Sequence, residues 1–156
     1  MNYYTPCLPI KPKTSELDIF YYEVFMLNKI LSITPHDQIE RNAVIECFLI
    51  HARNLIDFLE NKRMHGDDLT CIDFIDEKKK KIDAIEIKLA NDYKEKINKH
   101  LSHMTKQRVG EKIMWDMEYL RNQLNNEIKQ FLKKLPNSYF PTIEGKSRKE
   151  FEDIIK

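Results

Sequence analysis

Three glycines in 156 residues leave little material for tight turns, and none of them sits in a phosphate-cradling loop. The six prolines fall near the two ends and at Pro35, so long central stretches run without a helix breaker. No window approaches the ~18 apolar residues of a membrane-spanning helix. The stretch from Met1 to Lys13 has no apolar run suited to a signal peptide. Cys7, Cys47 and Cys71 are odd in number, far apart and without a CxxC pair. That disfavours a disulfide framework or a structural zinc site and fits reduced thiols in a cytoplasm. A large excess of one charge is also missing, since the formal net charge is +1. Tight nonspecific DNA binding, which needs a broad basic face, is therefore not expected. GxSxG, HExxH, an EF-hand ligand ladder, zinc fingers and a basic helix-turn-helix are all absent. No cofactor and no metal is expected.

What remains is a chain with 42% apolar and 33% charged residues, rich in Ile, Leu, Lys and Glu. Such a composition predicts an all-α domain with a single core. The charge is segregated along it. Residues 1–76 carry 7 basic against 12 acidic side chains, and residues 77–108 carry 10 against 5. The lysines at 78–81 read as the solvated start of a helix.

Apolar spacing predicts four long helices and a short fifth. After an N-terminal extension (1–14), Thr14 or Ser15 can cap a helix of about Ser15 to Ile33. Its stripe is Leu17, Phe20, Tyr21, Val24, Leu27 and Leu31. Thr34-Pro35 suits the cap and first position of a second helix to about Asn61, roughly 40 Å long. That helix is apolar on most sides, with Asn42, Glu46, Arg53, Asp57 and Glu60 forming a narrow polar strip. This pattern places it at the centre of the fold or against a second subunit. Lys62 to Lys78 breaks at His65-Gly66-Asp67-Asp68, yet its Leu69, Cys71, Ile72, Phe74 and Ile75 can pack over the helices. A third helix, about Glu77 to Met104, aligns Ile82, Ile85, Leu89, Tyr93, Ile97, Leu101 and Met104. A fourth, about Glu111 to Leu135, aligns Ile113, Met117, Leu120, Leu124, Ile128, Phe131 and Leu135, and Pro136 ends it. The tail, 137–156, admits a short helix from Ser147. The expected architecture is an antiparallel four-to-five-helix bundle spanning 15–136.

Two patches could carry chemistry. In Ile97-Asn98-Lys99-His100-Leu101-Ser102-His103, the side chain of His103 flanks the apolar stripe and shares a face with Lys96 and Lys99. Lysines there suit an anionic substrate and the imidazole suits proton transfer. His100 lies beside the stripe and reads as structural, and the plain alternative for both histidines is a solvated, lysine-rich helix. In the second patch, His51 and Asn54 sit near the apolar faces of the second helix and need hydrogen bonds when buried. Arg53 and Asp57 form an i, i+4 pair. These residues read as contacts between helices or across a dimer, or, alternatively, as a site completed with the His103 region.

The order Glu46-x-Phe48-x-x-His51-x-Arg53-x-Leu55-x-Asp57-Phe58, then Asp67-Asp68-Leu69 with Asp73-Phe74, then Ile97-Asn98-Lys99 with Ser102-His103-Met104-Thr105 and Arg108, resembles a group of uncharacterised bacterial helical proteins. Those show HARxLxDF, DD…DF and NKxxAHLTxxR segments. The last segment also resembles the signature of the HEPN superfamily, helical domains of toxin–antitoxin and other bacterial defence systems. The resemblance covers about residues 41–120. It implies a homodimer and a metal-independent endoribonuclease, with an antitoxin or another protein as partner. His103 would be the acid–base group, Lys99 would act beside it, and Lys96, Lys99 and Arg108 would bind RNA. The 2′-hydroxyl would attack the adjacent phosphate and leave a cyclic phosphate. His103 matches the histidine of that signature and Asn98 its polar residue. Ile97 or Asn98 stands in the place of its arginine, and Lys99 lacks the planar fork of a guanidinium. The superfamily also has noncatalytic members, so a helical dimerisation or interaction module is the other expectation.

Overall fold

A computed structural model describes residues 16–74, 93–102, 113–135, 137–140 and 147–156. Among these, all regular structure is helical. The helices are α1 (Glu16–Lys29), α2 (Gln38–Leu59), α3 (Tyr93–Ser102), α4 (Met117–Lys134) and α5 (Arg148–Ile154), with short 3₁₀ turns at Ile30–Ser32, Cys71–Phe74 and Asn137–Tyr139. None of the described helices is long and apolar enough to cross a membrane. The extension 1–14 and most of the predicted third helix lie outside the described residues.

Of the expected stripe of α1, Leu17, Phe20, Val24 and Leu27 are buried, Tyr21 is half-buried, and Leu31, also half-buried, lies past the end of the helix in the 3₁₀ turn. α2 begins three residues later than the Thr34-Pro35 signal suggests. Asp37 is its cap, accepting the Glu40 N–H at 2.8 Å, while the Glu40 carboxylate accepts the His36 N–H at 2.7 Å. Two reciprocal bonds outweigh the single-sided cap that Thr34 offers. α2 closes with Asn61 at φ 58°, where the Asn61 N–H reaches the Phe58 carbonyl and the Lys62 N–H reaches the Asp57 carbonyl. This Schellman arrangement uses asparagine, a residue that tolerates the left-handed region, where glycine is commoner. α4 also starts late: residues 113–116 are not helical, and Asp116 caps Tyr119 at 2.9 Å. Ile113 therefore falls before the helix rather than on its stripe.

The centre of the core is aromatic. Phe20 (α1), Phe58 (α2), Phe74 (the 3₁₀ turn), Phe131 (α4) and Phe151 (α5) bring one ring from each of five elements together. Phe20 stacks on Phe58 at 4.6 Å, and Phe131 meets Phe20 and Phe58 edge-on, each at 5.2 Å. Edge-to-face and offset pairs of this kind are the favoured aromatic geometries. Pairing of Phe20 with Phe58 and of Glu23 with His51 runs α1 antiparallel to α2. Pairing of Phe20 with Phe131 and of Asn28 with Asn125 runs it antiparallel to α4 as well.

α5 forms as the sequence predicts, with Ser147 and Glu150 making a capping box. Arg148 then donates to the Leu132 and Leu135 carbonyls, the latter at 2.8 Å, and lies 4.4 Å above the Phe140 ring. It thereby adds a second donor to the Leu132 carbonyl, which already accepts the Leu135 N–H, bonds the Leu135 carbonyl, and pins the tail to the end of α4.

In the segment after α2, Cys71 and Phe74 are buried and Leu69 is half-buried, but Ile72, expected to pack, is 40% exposed, and Ile75 lies outside the described residues. The shape of this segment is held by two aspartates. Asp68 accepts the Met64 and His65 N–H groups at 2.8 and 2.7 Å. Asp73 takes the Arg63 guanidinium at 2.6 and 2.7 Å and the Thr70 N–H at 2.7 Å. Partial burial pushes the Asp73 carboxyl up, but the Thr70 and Arg63 hydrogen bonds outweigh it and hold it below its ordinary value. The His65 and Met64 N–H groups do the same for Asp68. Folded values below the unfolded ones mean that both groups stabilise the fold above about pH 4 and lose that contribution as pH falls through the lowered values. Urea melts should show stability dropping on acidification. Asp73→Asn should lower the neutral-pH midpoint and flatten the acid drop. An unchanged acid slope in that variant would remove Asp73 from the account.

Candidate functional site

Every polar residue singled out on α2 takes part in an identifiable contact. His51 is 7% exposed, and its Nδ1 lies 2.7 Å from Oε2 of Glu23 on α1. An ionised carboxylate only accepts, so Nδ1 carries the proton and donates. Asn54 donates to the same oxygen at 3.2 Å, and the Tyr22 ring stands edge-on to the imidazole at 5.6 Å. Glu23 is the partner that sequence reasoning missed. Its signal was a carboxylate inside the run Phe20-Tyr21-Tyr22-Glu23-Val24-Phe25, one turn beyond the buried Phe20.

The structure corrects one expectation here: His51 is buried but Asn54 is exposed. Asn54 lies toward the solvent side of α2, so water can replace its bond. His51→Ala should therefore lower stability by about 1–2 kcal/mol, because a buried polar contact between helices is lost. Asn54→Ala should stay within about 0.5 kcal/mol of wild type. Thermal melts that move equally for both variants would contradict this division.

Arg53 and Asp57 form the expected i, i+4 pair at 3.7 Å, and Lys62 approaches the same carboxylate at 3.6 Å. Both contacts are solvent-facing, which limits their contribution to stability. One turn before His51, Cys47 is half-buried, and its thiol is pushed up by burial and by the Glu23 charge. Burial does the same to Cys71, whose Sγ lies 3.3 Å from the Leu59 carbonyl oxygen. Both thiols are thus held in the protonated, weakly nucleophilic form.

On α3, Lys99 pairs with Glu95 at 2.6 Å within its own helix, and Lys96 and Asn98 are half-buried. Ile97 is 1% exposed and anchors the helix. Lys94 bridges to Glu60 at the end of α2. His100 stands edge-on to Trp115 at 6.0 Å, in an aromatic group with Tyr93 and Tyr119. His103 and Arg108 lie outside the described residues, so the proposed acid–base and RNA-binding groups are not brought together in the described part of the fold. Among the described residues, no group of three or more His, Cys, Asp or Glu side chains is placed to hold a metal ion.

The first half of α2 lies outside the core of the described residues. Residues 38–43 are all exposed, and the first buried residue of the helix is Phe48. Ile39 is 78% and Ile50 47% exposed. With Ala43 and Glu46 they recur at i, i+4, i+7 and i+11, which is a single helix face.

No family model, no curated protein and no solved structure matches this chain.

Proposed function

We propose that this chain is a noncatalytic helical interaction module, an antiparallel four-to-five-helix bundle of HEPN-like type that pairs with a second copy through the first half of α2. The observation that carries the reading is the exposed Ile39–Ala43–Ile50 face. A face of this kind on a projecting helix is self-complementary across a two-fold axis, and such contacts are the commonest route to dimers. The absorption of His51 by Glu23 and of Lys99 by Glu95 adds support, because these groups then serve the fold. The setting is the cytoplasm, where thiols such as Cys47 and Cys71 stay free.

Light scattering at tens of micromolar should give a dimer. Combining Ile39→Glu with Ile50→Glu should give a folded monomer, since both side chains are exposed. A monomeric wild-type protein would overturn the reading.

The charge on α3 favours a second reading. Lys96 and Lys99 stand three residues apart, just ahead of His103 in the chain. On that reading the module is a metal-independent RNase of a bacterial defence or toxin–antitoxin system, with an antitoxin as partner. Wild-type protein should then cleave single-stranded RNA in the presence of a chelator, and His103→Ala should not.

A further inference from the structure

A groove of about 560 Å³ lies between α1, the second half of α2 and the 62–69 segment, at the far end of α2 from Ile39. Its apolar surface includes Ile19 and Met64, 45% and 66% exposed, with Leu69 between the polar walls. Carboxylates of Glu23, Asp57 and Asp67 line the same space.

The charge balance of the lining is negative. Arg53 and Lys62 are its strong cations, and both approach Asp57. Asp68 also lines the groove, and its carboxylate is occupied with the Met64 and His65 N–H groups. Glu23 uses Oε2 for both His51 and Asn54, so Oε1 has no donor among the described residues. Asp67 is exposed and has neither a hydrogen bond nor an ion pair within the described part of the fold.

The walls are set in advance. The Arg63–Asp73 pair and the Asp68 turn hold the segment that carries Met64 and Asp67, and the Glu23–His51 contact holds α1 against α2. A preformed surface avoids an ordering cost on binding. The groove is open along one side, whereas small-molecule sites enclose most of their ligand. An open channel with apolar footing and a carboxylate rim suits an extended chain segment.

We propose that this groove docks a short peptide segment of a partner protein, in which Lys or Arg side chains alternate with large apolar ones. The apolar side chains would cover Ile19, Met64 and Leu69, and the cations would meet Glu23 and Asp67. Asn54 and Asp57 continue the α2 face of Ile39 and Ile50 toward the groove, so peptide binding is also measured on the Ile39→Glu, Ile50→Glu variant, where loss of pairing and loss of docking read out separately.

The test uses the full chain and a fluorescein-labelled decapeptide of alternating leucine and lysine, followed by fluorescence polarisation. Leucine–glutamate and serine–lysine decapeptides are the controls. The leucine–lysine peptide should bind at least about tenfold more tightly than either control. Combining Met64→Ser with Asp67→Lys should weaken it by about tenfold or more with an unchanged melting curve, because both side chains are exposed. Glu118→Lys, a charge reversal at an exposed residue in the first turn of α4, outside both the groove and the α2 face, should leave binding within about twofold. Failure of the leucine–lysine peptide to bind would overturn the proposal. So would equal binding of the serine–lysine peptide, or equal loss from Glu118→Lys and the groove variant.

Discussion

Phe131→Ala should remove about 3–5 kcal/mol of stability, enough to leave a marginal domain largely unfolded. The ring is fully buried, with centroids 5.2 Å from both Phe20 and Phe58 and 6.2 Å from Phe74. Truncation therefore takes the shared neighbour from three other rings at once. The loss combines transfer free energy with a cavity that five separate elements would have to collapse together to fill. Phe131→Leu keeps most of the volume and loses the edge-on geometry, so it should cost less, about 1–2 kcal/mol. Urea denaturation of the two variants separates packing volume from aromatic geometry. A cost below about 1 kcal/mol for Phe131→Ala would show that the five-ring cluster is not the core's keystone.

The legibility of this centre in the sequence was uneven, for physical reasons. Leu17, Phe20, Val24 and Leu27 on α1, and Leu120, Leu124, Ile128 and Phe131 on α4, recur at helical spacing, and all are buried. Periodicity reports which face of a helix is covered because burial acts on every turn alike. It does not report what covers that face. α2 shows the difference: its residues are apolar on nearly every side, but Ile39 and Ile50 remain exposed because nothing among the described residues covers them. Helix starts were blurred for another reason. Thr34 and Asp37 are both good caps, and the choice fell to the position from which Glu40 could answer the His36 N–H. Least visible were the polar contacts between distant segments. Glu23 with His51 and Arg148 with the end of α4 join residues that share no local pattern, so each partner alone looks like an ordinary surface residue.

The contact between Asn28 and Asn125 is the most distant of these, at 97 residues apart, and it supports the second large prediction. The two amides bond reciprocally, with Asn28 Nδ2 donating to Asn125 Oδ1 at 3.1 Å and Asn125 Nδ2 donating to Asn28 Oδ1 at 2.7 Å. Asn28 also donates to the Val24 carbonyl at 2.8 Å, which orients its side chain toward α4. Asn125 is 6% exposed and has Leu124 and Ile128 for buried neighbours along its helix. Removing one amide strands the other beside the core, so Asn125→Ala should cost about 1–3 kcal/mol. Replacing both by leucine removes the stranded group and fills the same space, so the double variant should lie near wild type or above it. Asn125→Leu and Asn28→Leu alone should both be less stable than the double variant. A chemical-denaturation cycle over these leucine variants measures the coupling. Additive single costs, with no recovery in the double variant, would show that the amides act independently. Recovery of stability would leave the pair a different role, holding α1 and α4 in one register where apolar side chains alone would allow several.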